Sequence, residues 1–175
     1  MTKKIFFITG ASGVGKTTLI EQLKKKYSHN NWGFLHFDSI GVPSVEEMIK
    51  EYDSPSGWQE AMTYKWIDAL IHQYDLDYIF FEGQVNLKFI KDGFALHHFT
   101  DYKIILVDCS EEEMAYRLTH KRGQPELLTH DMRNWLKFLR NQATELHVQI
   151  IDTTQSSNEA VLSAFERAVK KELFE

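Results

Sequence analysis

The sequence contains little of what stabilises secreted proteins or inserts into membranes. Cys109 is the single cysteine among 175 residues, so no disulfide can form within the chain and a reducing cytoplasm is the expected compartment. No segment approaches the roughly 18 consecutive apolar residues that a membrane-spanning helix requires. The first four residues are followed by only four apolar ones, which is too short for the hydrophobic part of a signal peptide. We therefore expect a cytoplasmic protein with no membrane partner.

The chain also carries no excess of positive charge. The formal net charge is -5, whereas surfaces that bind nucleic acid or anionic membranes need a net basic face, so we expect no nucleic-acid partner. No repeat, low-complexity tract or long linker interrupts the chain, and we expect one domain over residues 1–175. The sequence shows no clear apolar seam on its exposed faces, which leaves a monomer and a homodimer both open.

Five short apolar runs rich in β-branched and aromatic residues predict β-strands: residues 4–8, 33–37, 78–82, 103–108 and 148–152. Their nearly continuous apolar character is typical of strands that are buried on both faces of a parallel sheet. Segments with helical periodicity lie between them, including residues 45–52 and 58–74. Four residues are predicted to begin helices as caps: Ser44, Ser110, Thr129 and Ser156. The alternation of strand and helix predicts an α/β fold with helices on both faces of the sheet.

Residues 10–18, Gly-Ala-Ser-Gly-Val-Gly-Lys-Thr-Thr, stand between the first predicted strand and an amphipathic helix. They match the phosphate-loop pattern, in which backbone N–H groups converge on an anion and the helix N-terminus adds partial positive charge. In this pattern Lys16 reaches the β- and γ-phosphates and the Thr17 hydroxyl binds Mg²⁺. The predicted nucleotide-binding residues are Gly10, Ala11, Ser12, Gly13, Val14, Gly15, Lys16, Thr17 and Thr18.

A magnesium-linked phosphate site also needs a carboxylate at the end of a neighbouring strand. Glu82 ends the third predicted strand and Asp108 ends the fourth. A buried carboxylate is costly unless a metal or hydrogen bonds hold it, and Gly83 allows close backbone approach, so we favour Glu82 as the metal ligand. Asp108 directly precedes the start of a helix, which is equally typical of a capping or structural role.

Asp38 ends the second predicted strand and precedes a stretch that reads as a loop. Ligands of open α/β sheets bind beyond the carboxyl ends of the strands, so Asp38 should face the same crevice as Lys16 and Glu82. Its carboxylate can accept the proton of a substrate hydroxyl. It can also hydrogen-bond its own backbone in a turn, and the residues alone leave both roles open.

Arg117 and Arg122 flank a segment with little periodicity, which predicts a mobile loop between two helices. Guanidinium groups on a loop that closes are suited to neutralising a transferring phosphoryl group or to stacking on a base, and we assign Arg122 such a role. Arg133, Lys137 and Arg140 form a basic stripe without an acidic partner at helical spacing, so a solvated face and a functional surface both fit. The eight histidines show no metal-ligand spacing.

With residues 10–18, Asp38, Glu82 and Arg122 in this order, the chain resembles the P-loop small-molecule and nucleotide kinases. It looks most like the branch that holds shikimate kinase, gluconate kinase and the antibiotic phosphotransferases, and the resemblance spans essentially the full length. It implies a three-layer P-loop NTPase fold, with a parallel five-stranded sheet in the order 2-3-1-4-5 and a short lid at about residues 119–128. It also implies an acceptor-binding helical region at about residues 39–74.

The resemblance further implies roles for single residues. Asp38 would bind or deprotonate the acceptor hydroxyl, Arg117 would pack on adenine, and Arg122 would contact the phosphates. Thr153, after the last strand, would lie beside the base. The chain departs from many relatives at Glu82-Gly83-Gln84, where Asp-Gly is common, and it shows neither the gluconate signature nor a shikimate-type arginine set.

These features predict an ATP- and Mg²⁺-dependent phosphotransferase that moves the γ-phosphate to a small-molecule hydroxyl, with Lys16, Asp38 and Arg122 as catalytic residues. A nucleoside-monophosphate kinase is one alternative, but it normally needs arginines for the second phosphate, and residues 39–87 contain none. A regulatory NTPase without a small-molecule acceptor is the other. A GTPase is disfavoured because the Asn-Lys-x-Asp guanine motif is absent.

Overall fold

Pairs of adjacent phenylalanines show how the sheet of this protein is built. In the computed structural model, which describes residues 3–174, Phe6 and Phe7 of the first strand are both fully buried, as are Phe80 and Phe81 of the third. Successive side chains of a strand point to opposite faces, so both faces of the sheet must be covered. Phe7 and Phe81 belong to one apolar core, and Phe6 and Phe80 belong to the other.

The five strands are β1 (Lys4–Thr9), β2 (Trp32–His36), β3 (Tyr78–Gly83), β4 (Tyr102–Asp108) and β5 (Gln149–Asp152). They form one parallel sheet in the order β2-β3-β1-β4-β5, which confirms the predicted topology. All predicted strands are present, with ends shifted by one residue at most. Only the three central strands are buried on both faces, because β2 and β5 form the edges.

The helices are α1 (Lys16–Tyr27), α2 (Val45–Tyr52), α3 (Pro55–His72), α4 (Leu87–Leu96), α5 (Glu111–Tyr116), α6 (His130–Glu145), α7 (Asn158–Ala168) and α8 (Lys170–Phe174). Side chains of α3, α4 and α6 fill one core, and those of α1 and α7 fill the other. Within the described residues, no helix combines the length and the apolar character that crossing a membrane requires.

Local signals explain where the helices depart from prediction. α3 begins at Pro55 rather than residue 58, because Ser54 caps its N-terminus and proline is well suited to the first turn. α7 is capped by Ser157, whose side chain accepts from Ala160 N, so the predicted cap at Ser156 was one residue early. Ser44, Ser110 and Thr129 cap their helices as predicted. The sequence prediction did not include α4.

Two predicted loops contain helical turns. Residues Phe37–Ile40 form a 3₁₀ turn, so Asp38 lies in a turn with a defined backbone. After α5 the chain continues through a π-helical turn over Arg117–Lys121, closed by a bond from Arg122 N to Arg117 O of 2.9 Å, and then a short 3₁₀ turn over Pro125–Leu127. The predicted lid therefore has more regular structure than its sequence indicates.

Candidate functional site

A cleft of about 740 Å³ opens where the loops after β1 and β5 meet the segment that follows α5. This volume is typical of small-molecule sites. A wider groove of about 900 Å³ lies against the amino-terminal ends of β4 and β5, but its lining contains neither carboxylate nor arginine. The first cleft is lined by the phosphate loop together with Arg117 and Arg122, and we take it as the candidate site.

The start of α1 differs from that of the other helices. Gly15 is its N-cap with a φ of 105°, a left-handed conformation that glycine adopts without strain, and no side chain among the described residues caps the helix. Side chains cap α2 to α7, which leaves α1 as the one of these seven helices whose first N–H groups have no such partner. Unsatisfied N–H groups and the helix dipole make this end suited to an anion.

Lys16 lies at the base of this loop and is only 7% exposed. Its Nζ donates a hydrogen bond of 2.8 Å to the carbonyl of Ala11. Burial lowers the pKa of Lys16 to about 8, the nearby charges of Glu82 and Asp38 oppose that shift, and the Arg122 guanidinium adds to it. The fold thus brings the predicted lysine, both carboxylates and the lid arginine within electrostatic reach of one another.

The remaining polar residues of the loop differ in how exposed their side chains are. Thr17 and Thr18 are exposed and line the cleft. Ser12 is buried, and its hydroxyl accepts a hydrogen bond of 2.6 Å from Gln84 Nε2. Gln84 follows Glu82-Gly83, so the loop after β3 is tied directly to the phosphate loop.

Glu82 has a partner that sequence reasoning missed. It is 9% exposed at the end of β3, and its Oε1 lies 2.7 Å from Nδ1 of His36. The two residues are direct neighbours in the parallel register of β2 and β3. The ends of β2 and β3 lie side by side in the sheet, and residues in register point to the same face. Polar residues at the ends of these two strands are therefore the sequence signal that could have identified His36.

Asp38 lies just beyond His36 and is exposed. The backbone on either side is anchored: Trp66 Nε1 donates to the Phe37 carbonyl at 3.0 Å, and Gly41 N donates to the Asp38 carbonyl at 3.0 Å. Its carboxylate makes no hydrogen bond within residues 3–174. The backbone of this aspartate is therefore held while its side chain stays accessible at the same sheet edge as Lys16.

Arg117 connects three parts of the cleft. Its Nε donates to Glu113 at 2.8 Å, its Nη1 reaches the Val14 carbonyl at 3.1 Å, and its Nη2 donates to the Thr153 carbonyl at 2.7 Å. Thr153 is 2% exposed, and its hydroxyl donates to the same Val14 carbonyl at 2.7 Å. Both residues predicted to contact the base thus hold the phosphate loop by hydrogen bonds.

Arg122 lines the cleft from the other side and is exposed. It follows the π-helical turn, and Gly123 after it has a φ of 60° and open space around its Cα. Arg122 therefore lies on an exposed surface turn that lines the same cleft as the phosphate loop.

The basic stripe of α6 is not a fully solvated face, because acids from other elements pair with it. Arg140 donates from Nε and, at 3.1 Å, from Nη2 to the Asp108 carboxylate, and Nη2 also donates to the Cys109 carbonyl at 2.8 Å. Lys137 pairs with Glu111 at 3.1 Å. Asp108 is thereby occupied by Arg140, whereas the buried Cys109 thiol has its pKa raised to about 11 by burial and stays protonated.

Comparisons with known proteins agree with this fold. The family model for the AAA domain matches residues 6–134. A shikimate kinase from Acinetobacter baumannii in complex with shikimate has a similar structure, with a TM-score of 0.61 at 11% identity over 98% of this chain and 96% of that chain. For a gluconokinase from Sinorhizobium meliloti the TM-score is 0.62 at 14% identity, over 98% and 96% of the two chains. For a deoxyadenosine kinase from M. mycoides it is 0.61 at 15% identity, over 95% and 99%. No curated protein matches the sequence.

Proposed function

This chain belongs to the AAA domain family and has the fold of the P-loop small-molecule and nucleotide kinases, and on that premise we propose that it is an ATP-dependent phosphotransferase acting on a small-molecule hydroxyl. The single observation that carries the proposal is the gathering of a buried lysine, an uncapped helix start and two carboxylates at one sheet edge. Residues 39–74 form the acceptor-binding region and residues 119–128 the lid.

The phosphate loop binds the triphosphate. The first N–H groups of α1 donate hydrogen bonds to the phosphate oxygens, and the Lys16 ammonium moves from the Ala11 carbonyl to the β- and γ-phosphates. Arg117 and Thr153 fix the Val14 carbonyl, so the loop keeps its shape when ATP leaves. Preorganised donors stabilise the transferring group without reorganisation at the moment of reaction.

The residues beside Lys16 fit Mg²⁺. A hard cation of this kind prefers oxygen ligands, and the Thr17 hydroxyl and the Glu82 carboxylate are such ligands. His36 occupies Oε1 of Glu82, which orients the carboxylate and leaves Oε2 for the metal or its water. When bound, Mg²⁺ neutralises charge on the phosphates. Within the chain itself, Thr17 and Glu82 are the residues that hold it.

Asp38 acts on the acceptor. Its carboxylate accepts the proton of the acceptor hydroxyl as that oxygen bonds to the γ-phosphorus, while the bond between the γ-phosphorus and the β,γ-bridging oxygen breaks and ADP leaves. Arg122 turns toward the phosphoryl group and offsets its charge. Because residues 39–87 contain no arginine, the acceptor region offers no bidentate partner for a second phosphate, which favours an uncharged alcohol.

The test is a screen of nucleosides, sugars, sugar acids and amino alcohols for stimulated ADP formation, with the phosphorylated product identified by mass spectrometry. The proposal predicts that one class raises ADP formation and appears as its phosphate ester. Nucleoside monophosphates are included, and their conversion to diphosphates would replace the proposal by a nucleoside-monophosphate kinase. ATP hydrolysis that responds to none of these, with tight nucleotide binding, would make the protein a regulatory NTPase.

A further inference from the structure

Two of the eight histidines, which show no ligand spacing in the sequence, lie beside an aspartate in one place on the surface. Asp68 and His72 lie one turn apart near the end of α3, and His97 follows the last residue of α4. One potential ligand atom from each of the three residues lies within 4.8 Å of the other two. The cluster is at the amino-terminal edge of the sheet, since α3 and α4 lead into β3 and β4, and it is thus remote from the phosphate loop.

The separations are close to those that a metal ion imposes. His72 Nδ1 lies 3.2 Å and His97 Nδ1 lies 3.9 Å from the same Oδ1 of Asp68, and His72 Nδ1 also lies 3.0 Å from the Asp68 main-chain carbonyl. Ligands about 2.0 to 2.1 Å from a tetrahedral zinc ion are about 3.3 Å apart, so metal binding requires side-chain rotations that release the carbonyl contact of His72 and bring His97 closer. The side chains are 52%, 58% and 25% exposed for Asp68, His72 and His97, which leaves a path for the ion and room for water as a further ligand.

The backbone under the cluster is held by close helix packing. A Cβ at Gly93 of α4 would lie 2.5 Å from Ile67 Cδ1 and 3.1 Å from Tyr64 Cδ1 of α3, so only glycine permits this approach. Gly93 is one turn before His97, and Ile67 directly precedes Asp68. The two helices therefore pack closely beside the ligands, which places the three side chains near one another.

An ordinary ion pair accounts for only part of this arrangement. His72 with Asp68 is a common pair at helical spacing, but a second imidazole directed at the same carboxylate oxygen is not required for it. The two rings have centroids 5.5 Å apart, so two imidazolium charges there would repel each other. Neutral imidazoles and a carboxylate around one divalent cation satisfy all three groups.

We propose that Asp68, His72 and His97 form a surface site for a first-row divalent transition metal such as Zn²⁺, which links α3 to α4. Two imidazoles and one carboxylate suit zinc, nickel or copper and not Mg²⁺, which favours oxygen ligands. The site is independent of the proposed phosphotransferase chemistry and its expected effect is structural, because an ion that binds only the folded state stabilises it.

The experiment uses the untagged, chelator-stripped full chain and zinc chloride alone in calorimetric titration. We expect binding of one zinc ion that weakens at least about tenfold in His72→Gln and in His97→Gln, since loss even of outer partners of a metal costs that much. Asp68→Asn should weaken it as well. His98→Asn is the matched control, because His98 is the exposed neighbour with a φ of 51° that asparagine tolerates.

Two further measurements separate this site from others. His36→Gln should leave the affinity unchanged, and a loss there would move the zinc to the phosphate site and overturn the proposal. Zinc at 100 times its dissociation constant should raise the melting temperature by about 5 to 10 °C in the wild type and in His98→Asn, but not in His72→Gln or His97→Gln. Equal affinity in all variants, or no binding at millimolar zinc by folded protein, would refute the site.

Discussion

The two sides of the cleft differ in how firmly their side chains are held. On the proposed nucleotide side, formed by residues 10–18 with Arg117 and Thr153, the phosphate loop is hydrogen-bonded to Arg117 just after α5, to Thr153 after β5 and to Gln84 in the loop after β3. On the proposed acceptor side, formed by residues 38–52, the Asp38 carboxylate is exposed, and so are three apolar side chains, Val42, Val45 and Ile49. One side is preorganised, and the other leaves apolar surface that a ligand can bury.

This difference is what the proposed transferase would require. The triphosphate is the same in every turnover, so a phosphate loop held rigid by hydrogen bonds fits it each time and stabilises charge in the transition state. An acceptor must enter, be desolvated and leave, and a region that closes on it can order itself upon binding. The predictions below set the two sides against each other.

The largest expected effect is that of Lys16→Met. Losing the ammonium removes charge stabilisation of the phosphoryl group, and we expect turnover to fall at least about 1,000-fold. The same variant should stabilise the ligand-free protein by up to about 3 kcal/mol, because burial lowers the pKa from 10.5 to about 8 and each unit corresponds to about 1.4 kcal/mol. Steady-state kinetics and denaturant unfolding measure the two effects.

The direction of that stability change follows from proton linkage. The unfolded chain binds the Lys16 proton up to its ordinary pKa and the folded chain only up to about 8, so the cost is fully present below pH 8 and disappears toward pH 10.5. Lys25→Met on the exposed face of α1 is the control and should change neither quantity. A destabilised Lys16→Met protein would show that burying the charged lysine in the phosphate loop does not destabilise the fold.

Asp38→Asn tests the other side alone. Asparagine keeps the size and loses the base, so transfer to the acceptor should fall by about 100-fold or more while ATP affinity stays within about twofold. Acceptor-dependent turnover and calorimetric titration with ATP measure the two. Asp53→Asn, an exposed position with a φ of 66° in the same region, is the control. Full transfer rate in the Asp38 variant would assign the base elsewhere, with Glu82 as the next candidate.

Arg117→Lys should weaken the hydrogen bonds that hold the phosphate loop and should leave acceptor binding unchanged. An ammonium cannot serve Glu113, Val14 and Thr153 together as the planar guanidinium does, so ATP should bind about tenfold more weakly and the protein should lose about 2 kcal/mol of stability. Arg133→Lys on the exposed stripe of α6 is the control. Unchanged ATP affinity with the same loss of stability would mean that the clamp supports the fold and not the nucleotide.

The sequence predicted the nucleotide side better than the acceptor side for a physical reason. The phosphate loop is a local motif and the strands are short apolar runs, so residues 10–18 and the five strands could be predicted without tertiary information, whereas the sheet order followed from the resemblance to the P-loop kinases. The partners His36 for Glu82 and Arg140 for Asp108 depend on strand register and on packing between distant elements. The same holds for His97, which reaches Asp68 and His72 only because two helices pack closely.

The pH dependence of ATP binding should also distinguish the two sides of the cleft. In the free protein Lys16 is half charged near pH 8, and the bound phosphates favour its charged form, so about half a proton should be taken up per ATP at pH 8. Affinity should fall as pH rises above 8. Titrations in buffers with different ionisation enthalpies measure the uptake, and Lys16→Met should abolish it. Acceptor binding should show no such uptake.

The smallest expected effect is on the apolar surface of α2. Ile49 and Val45 are 52% and 58% exposed and lie one turn apart on that helix, near Asp38 in the chain. If an acceptor or closure of α2 over it buries this surface, Ile49→Ser should raise the KM for the acceptor by about three- to tenfold, since burial of such a side chain is worth about 1.5 to 3 kcal/mol when complete.

Removing an exposed apolar group should leave stability and ATP affinity unchanged. Leu96→Ser, at an apolar position 65% exposed on α4, should alter none of these quantities. An unchanged acceptor KM in Ile49→Ser would mean that the apolar surface of α2 does not contact the acceptor during turnover.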